Sequence, residues 1–169
     1  MRLLYVGRVS REKDLDLLGE AFRRLRDEGL SIQLFIVGHG PYSKELSKAM
    51  PEAVFTGYLT GSDLAAAYAS ADIFVFPSTT DTFGNVIIEA QASGVPVIVS
   101  DSGGPKELVE NERNGLITKS HDLEDLTRAI RELAVDSNLR KEMGVHARES
   151  VINRTWPNAF RKFWAATEL

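Results

Sequence analysis

Ile73-Phe74-Val75-Phe76 is followed by Pro77-Ser78-Thr79-Thr80-Asp81-Thr82-Phe83-Gly84-Asn85, then by Val86-Ile87-Ile88-Glu89-Ala90, and the segment closes on Gly94-Val95-Pro96-Val97-Ile98-Val99. The two β-branched and aromatic runs at its ends are apolar without alternation, which suits strands covered on both faces in a parallel sheet. Between them, Gly84 to Ser93 reads as a helix and Gly94 sits where it stops. Strand, crossover helix and parallel strand make one βαβ unit.

The same alternation extends in both directions. Strands are predicted at Leu3 to Val6, Gln33 to Val37, Ala53 to Thr56, Ile73 to Phe76, Val95 to Val99 and Leu116 to Thr118. Helices are predicted at Asp14 to Asp27, Tyr42 to Met50, Ser62 to Ser70, Gly84 to Ser93 and Pro105 to Glu110. Leu123 to Val135, Asn138 to Ser150 and Trp156 to Thr167 close the chain, so the last helices begin at about residue 137. Thr60-Gly61-Ser62-Asp63 reads as a capping box, Gly104-Pro105 places proline at a first helical position, and Gly115 is read as a helix stop. Six strands joined by helices predict an α/β, doubly wound, parallel, Rossmann-like sheet in the order 3-2-1-4-5-6. That order sets the topological switch between the first and fourth strands, where a ligand crevice is expected.

A length of 169 residues predicts a single domain over 1–169, and 43% hydrophobic with 26% charged residues is enough for one core. The net charge of -4 argues against nucleic acid as a partner, so any anion site must be a local positive patch. No cysteine is present, which removes disulfides, zinc thiolates and thiol nucleophiles. No apolar run approaches the ~18 residues of a membrane span, and a cytoplasmic location is expected.

The loops leaving the first and fourth strands are rich in candidate chemistry. The first is Gly7-Arg8-Val9-Ser10-Arg11-Glu12-Lys13. Arg8 offers a planar fork for an oxyanion and Lys13 a flexible point charge at the start of the next helix; together they suit a diphosphate, or both are plain surface cations. In the second loop, Phe83-Gly84-Asn85-Val86 turns into a helix whose free amides can accept an anion. Glu89, about 7.5 Å along the axis from Gly84, can grip a ribose diol or be a solvated acid. Asp81 either caps the helix or meets sugar hydroxyls.

Other signals carry less. Gly38-His39-Gly40-Pro41-Tyr42-Ser43 has the wrong third residue and follows the wrong strand for a dinucleotide fingerprint. Tyr58 lines a base pocket or simply packs. His39, His121 and His146 lack metal-ligand spacing, and Asn153-Arg154-Thr155 is only a formal sequon. Gly103-Gly104 is a helix-entry turn or a close approach to ligand. Asp81 and Glu89 on one helix entrance do not flank a scissile bond as a glycosidase pair must. No histidine cluster is present, and the paired cations and helix start make a metal unnecessary, so none is expected.

Gly7-Arg8 with Lys13, Asp81-x-Phe83-Gly84 with Glu89-Ala90, Ala92-Ser93-Gly94-Val95-Pro96-Val97 and Gly103-Gly104 together resemble the nucleotide-sugar-binding half of retaining family 4 glycosyltransferases of the GT-B fold. The resemblance runs from Leu3 to the Trp156 region. The family's acidic pair is usually two glutamates; here the first is Asp81, with the spacing to Glu89 kept. The resemblance implies a catalytic set of Arg8, Lys13 and Asp81, the two cations neutralising the departing diphosphate and Asp81 touching the transferred sugar. It implies donor binding by Gly7, Phe83, Gly84, Asn85, Val86 and Glu89, with Glu89 on the ribose. It also implies a GDP- or UDP-linked hexose donor such as mannose or glucose, a lipid or saccharide acceptor, and no cofactor or metal. GT-B enzymes resemble two facing Rossmann-like domains, so the expected partner is an N-terminal acceptor domain. Without it, donor binding with little or no transfer is expected, and the complete enzyme is a candidate for peripheral membrane association. The Trp156 to Phe163 helix would cross toward that partner, or pack on its own domain. Two other classes remain: a non-catalytic nucleotide-binding or regulatory module, and an oxidoreductase.

Overall fold

The computed structural model describes residues 1–154 together with Asn158, Phe160, Arg161 and Trp164. Its centre is a six-stranded sheet formed by β1 (Arg2–Val6), β2 (Gln33–Val37), β3 (Val54–Gly57), β4 (Ile73–Phe76), β5 (Val97–Ser100) and β6 (Gly115–Thr118). The strand order is β3-β2-β1-β4-β5-β6 and every pairing is parallel, as the sequence predicts. β1 pairs with β2 over its whole length but with β4 only through Leu3 opposite Ile73 and Leu4 opposite Phe74. The upper ends of β1 and β4 therefore part, and the loops leaving them face one another across the switch point.

Through residue 154, six α-helices flank the sheet: α1 (Leu15–Asp27), α2 (Ser43–Ala49), α3 (Gly61–Ala69), α4 (Asn85–Ala92), α5 (Leu123–Val135) and α6 (Ser137–Ile152). α1 is amphipathic and buries Leu15, Leu18, Ala21, Phe22 and Leu25, the helical repeat of one apolar stripe. It packs beside α5, while α4 packs beside α6. All four residues of β4 and all four of β5 are buried, in keeping with their unbroken apolar runs. Asp122 begins α5 by accepting from the Asp125 amide at 3.0 Å, a cap worth about 1 kcal/mol.

Several boundaries differ from expectation for identifiable reasons. β5 begins at Val97, because the Val95 amide is spent on the Ala90 carbonyl at the end of α4. Gly115 ends no helix. It opens β6, where a Cβ would lie 2.4 Å from the Val97 carbonyl oxygen, so its missing side chain serves strand contact. Thr60 is the N-cap of α3, but its side chain accepts no capping bond. Pro105–Leu108 is a short 3-10 turn rather than an α-helix, with the proline in its first turn. Of the predicted terminal helix, Asn158, Phe160, Arg161 and Trp164 are helical; Trp156 and Phe163 lie outside the described residues.

Candidate functional site

The first loop is folded more tightly than an extended helix start. Arg11–Lys13 forms a 3-10 turn, closed by the Lys13 amide donating to the Ser10 carbonyl at 3.1 Å, and Asp14 then takes a left-handed φ of 53°. Lys13 thus precedes α1, which begins at Leu15, one residue after the expected start at Asp14. The Ser10 hydroxyl donates to Glu12 at 2.6 Å and, as the foremost cause, holds that carboxyl below its usual range.

The three basic residues of this loop take different places. Arg11 turns outward, donating to both carboxylate oxygens of Glu45 at 2.6 and 2.7 Å, with its guanidinium 4.4 Å from the Tyr42 ring centre. Arg8 is exposed and its guanidinium makes no hydrogen bond among the described residues. Lys13 points inward and donates to Asp81 Oδ2 at 2.7 Å. The Lys13 and Asp81 side chains are only 13% and 26% exposed, so this pair is shielded enough to matter.

Asp81 belongs to the second loop, which is laced to the first. The Thr79 hydroxyl donates to Asp14 at 3.4 Å, and the Thr80 hydroxyl reaches the Glu12 carbonyl at 3.5 Å. From behind, the Gly104 amide donates to the Asp81 carbonyl at 2.8 Å. The loop after β5 comes so close that a Cβ on Gly104 would sit 1.8 Å from the Thr82 carbonyl oxygen. Asp81 does not cap α4, so that alternative falls. The N-cap is Gly84, at φ 85°, with no side-chain bond. The Ile87 amide donates to the Gly84 carbonyl at 2.9 Å, leaving the Asn85 and Val86 amides ahead of the first intrahelical bond. Phe83, 53% exposed, flanks them.

Tyr5 forms the floor under both loops. Its ring stacks on Phe76 at 5.7 Å and its hydroxyl donates to the Arg8 carbonyl at 2.9 Å, fixing the backbone beside Gly7. Burial first, then the Asp81 and Glu12 charges, push its phenol far above the ordinary tyrosine range. Glu89 is exposed on α4 and accepts from the hydroxyl of Tyr68 at 2.7 Å. In the loop after β3, Tyr58 is 74% exposed and donates to the His39 carbonyl at 3.3 Å. His121 Nδ1 lies 3.3 Å from Asp14 Oδ1.

The structure therefore brings Gly7, Arg8, Lys13, Asp81, Phe83, Gly84, Asn85 and Val86 to one rim, with Glu89 further along α4. Sequence reasoning missed Tyr5, Tyr68 and Asp14 and gave no role to Thr79, Thr80 or His121; the Tyr5–Arg8 bond apart, their contacts are tertiary. The one available signal was Tyr68, the single polar-tipped aromatic in the alanine-rich α3. Among the described residues, no group of three or more His, Asp or Glu is placed to hold a metal ion. None of their helices is long and apolar enough to cross a membrane. A separate cavity of about 280 Å³ lies between the β1–β2 face and α3, lined by Leu4, Phe35, Val37 and Ala67 among others.

Comparison with known proteins adds to this geometry. The profile of the family described as glycosyl transferases group 1 matches residues 2–150. A GDP-mannose-dependent alpha-mannosyltransferase of Mycolicibacterium smegmatis is 45% identical over 154 residues, which is 90% of this chain and 39% of that protein. A sulfoquinovosyl transferase of Arabidopsis thaliana is 36% identical over 95% of this chain and 32% of its own length. Among solved structures, a sucrose-phosphate synthase from Thermosynechococcus elongatus superposes with a TM-score of 0.81 at 30% identity, covering 98% of this chain and 46% of its own. The chain thus spans less than half the length of each protein it matches here.

Proposed function

The chain belongs to the glycosyl transferases group 1 family, and from that premise we propose that it is the nucleotide-sugar-binding domain of a retaining, metal-independent glycosyltransferase. The observation that carries the reading is the Lys13–Asp81 contact of 2.7 Å beside the unbonded first amides of α4. A cation, an acid and free backbone donors then share one spot where a sugar diphosphate has matching chemistry.

Departure of a nucleoside diphosphate builds negative charge on the phosphates while an oxocarbenium-like centre forms on the sugar. Groups already aimed at the phosphates stabilise that state more than the bound substrate. Arg8 and Lys13 supply the positive charge, and the Asn85 and Val86 amides add donors at the helix start. As Lys13 turns to phosphate, Asp81 is released to accept from sugar hydroxyls. Glu89 accepts from the ribose diol, and the Tyr58–His39 end lies where the base would rest. Gly7 and Gly84 keep the backbone close, with Phe83 beside the sugar.

The donor is a hexose such as mannose or glucose on GDP or UDP, and the acceptor a lipid or saccharide. The name of the Mycolicibacterium smegmatis relative makes GDP-mannose the first to try. Acceptor binding is assigned to an N-terminal domain of the complete enzyme, which associates peripherally with membrane if its acceptor is a lipid. The domain alone binds donor and transfers little or nothing.

A thermal-shift panel of GDP, UDP, ADP, NAD and acetyl phosphate tests this. A nucleoside diphosphate at a hundredfold excess over its Kd should add ~2.7 kcal/mol of stability. Stabilisation by NAD alone, or by none of the five, would sink the proposal. The rival regulatory module, if of the receiver kind with a phosphoryl-accepting aspartate at the end of its central strand, is disfavoured because Pro77 follows β4 at that place.

A further inference from the structure

We infer that Tyr68 is a positioning residue for Glu89, holding its carboxylate in the orientation that receives the ribose diol. The inference rests on the ribose role proposed for Glu89. Tyr68 is the one buried side chain of α3, and its ring packs against Phe74 of β4 at 5.8 Å. Its hydroxyl donates to Glu89 Oε2 at 2.7 Å, bridging α3 to α4. Glu89 itself is exposed, and an unrestrained glutamate on a helix surface samples several rotamers.

The chemistry of the anchor matters. A lysine or arginine at this place would neutralise the acid and compete with the sugar for its lone pairs. A phenol uses one lone pair of Oε2 and leaves the negative charge and Oε1 to accept from ligand hydroxyls. Burial, then the bond to Glu89, push the Tyr68 phenol far above the ordinary range, so it stays a donor at any physiological pH. The pair therefore presents a fixed, charged acceptor.

Tyr68→Phe keeps the ring and its packing and removes only the oxygen. Calorimetry with GDP and UDP, each against its 2′,3′-dideoxy form, reads the result. In Tyr68→Phe the preference for the intact diol should fall about fivefold, the size of one ordinary hydrogen bond, while dideoxy binding stays unchanged. Glu89→Gln should lower the same preference further, and Tyr68→Phe should change nothing more in that background. If Glu89→Gln leaves the preference intact, or the unsubstituted protein binds neither diphosphate, the ribose reading fails and takes this inference with it. If Glu89→Gln lowers it but Tyr68→Phe does not, or Tyr68→Phe weakens both ligand forms equally, the positioning role alone is overturned. Tyr68→Leu, which fills the apolar site without a hydroxyl, repeats the comparison should the phenylalanine variant misfold.

Discussion

Lys13 and Asp81, 68 residues apart in the chain, are joined at 2.7 Å across the gap between the loops of β1 and β4. The unliganded domain therefore satisfies its inward cation with its own acid. Under the proposed function, a diphosphate would displace that acid, and a transferred sugar would then use it. The two substitutions at this pair act in opposite directions on a ligand without a sugar.

Lys13→Ala removes a charge-assisted contact worth about 1.5–3 kcal/mol, which weakens nucleoside diphosphate roughly tenfold to a hundredfold. The bare nucleoside carries no charge for Lys13 to meet, so its affinity should hardly change. Asp81→Asn frees Lys13 from its competitor and should tighten the bare diphosphate, while the complete nucleotide sugar loses a hydroxyl acceptor. Titration calorimetry with nucleoside, diphosphate and nucleotide sugar compares the three. Equal losses for all of them in Lys13→Ala would refute the assignment of that lysine.

Arg8 and Arg11 lie three positions apart and look alike in the sequence, but of the two only Arg11 has its guanidinium hydrogen-bonded among the described residues, to Glu45, with the Tyr42 ring beside it. Arg8→Ala should weaken diphosphate binding about tenfold, as expected for a charged hydrogen bond. Arg11→Ala breaks an exposed pair, for which about 0–1 kcal/mol of stability is typical, and should leave ligand affinity within twofold. The same calorimetric series separates them; a larger loss in Arg11→Ala than in Arg8→Ala would reverse the assignment.

The strand order and both site loops were legible because the fold writes them locally. Ile73–Phe76 is an unbroken apolar run, and six strand-forming segments alternating with helices admit few topologies. Finer features were not local. Gly115 has the same letter whether it ends a helix or lets a strand approach the Val97 carbonyl, and only the packing shows which. The apolar spacing of Leu15, Leu18 and Phe22 sets the buried face of α1, and nothing in it announces that Asp14 is left-handed. Thr60 has a capping sequence, yet a cap is a rotamer as well as a residue type. The Tyr68–Glu89 bond joins two helices from different crossovers, so no spacing within either could reveal it.

Alkaline stability follows from the buried phenols. An unfolded tyrosine ionises near 10.0, whereas burial and neighbouring acids raise Tyr5 and Tyr68 well beyond that and the Asp16 bond helps push Tyr42 to about 12. Each raised group makes the folded state hold its proton longer than the unfolded one. Its stabilisation is complete below pH 10 and is lost as pH climbs past it. Phenolate absorbance from these residues should appear together with loss of the far-ultraviolet helix signal, and Tyr68→Phe should shift that unfolding to higher pH. Full tyrosine ionisation in a still-folded protein would contradict the burial argument.

Gly104 offers a test of whether the crevice depends on its backing loop. A Cβ there would meet the Thr82 carbonyl oxygen at 1.8 Å, and the obstacle is backbone, so the chain must move. Overpacking of this kind costs about 1–3 kcal/mol, and the strand of loop displaced includes Asp81, whose carbonyl accepts from the Gly104 amide. Gly104→Ala should therefore lose both stability in denaturant and diphosphate affinity. Gly29→Ala is the control: its φ of 91° is strained for alanine, but a Cβ there meets nothing within 4 Å and the site is remote. It should cost about 1–2 kcal/mol of stability and no affinity. If Gly104→Ala loses stability alone, as the control does, then Lys13 and the α4 amides hold the ligand without help from the β5 side, and the crevice is narrower than the packing of its three loops implies.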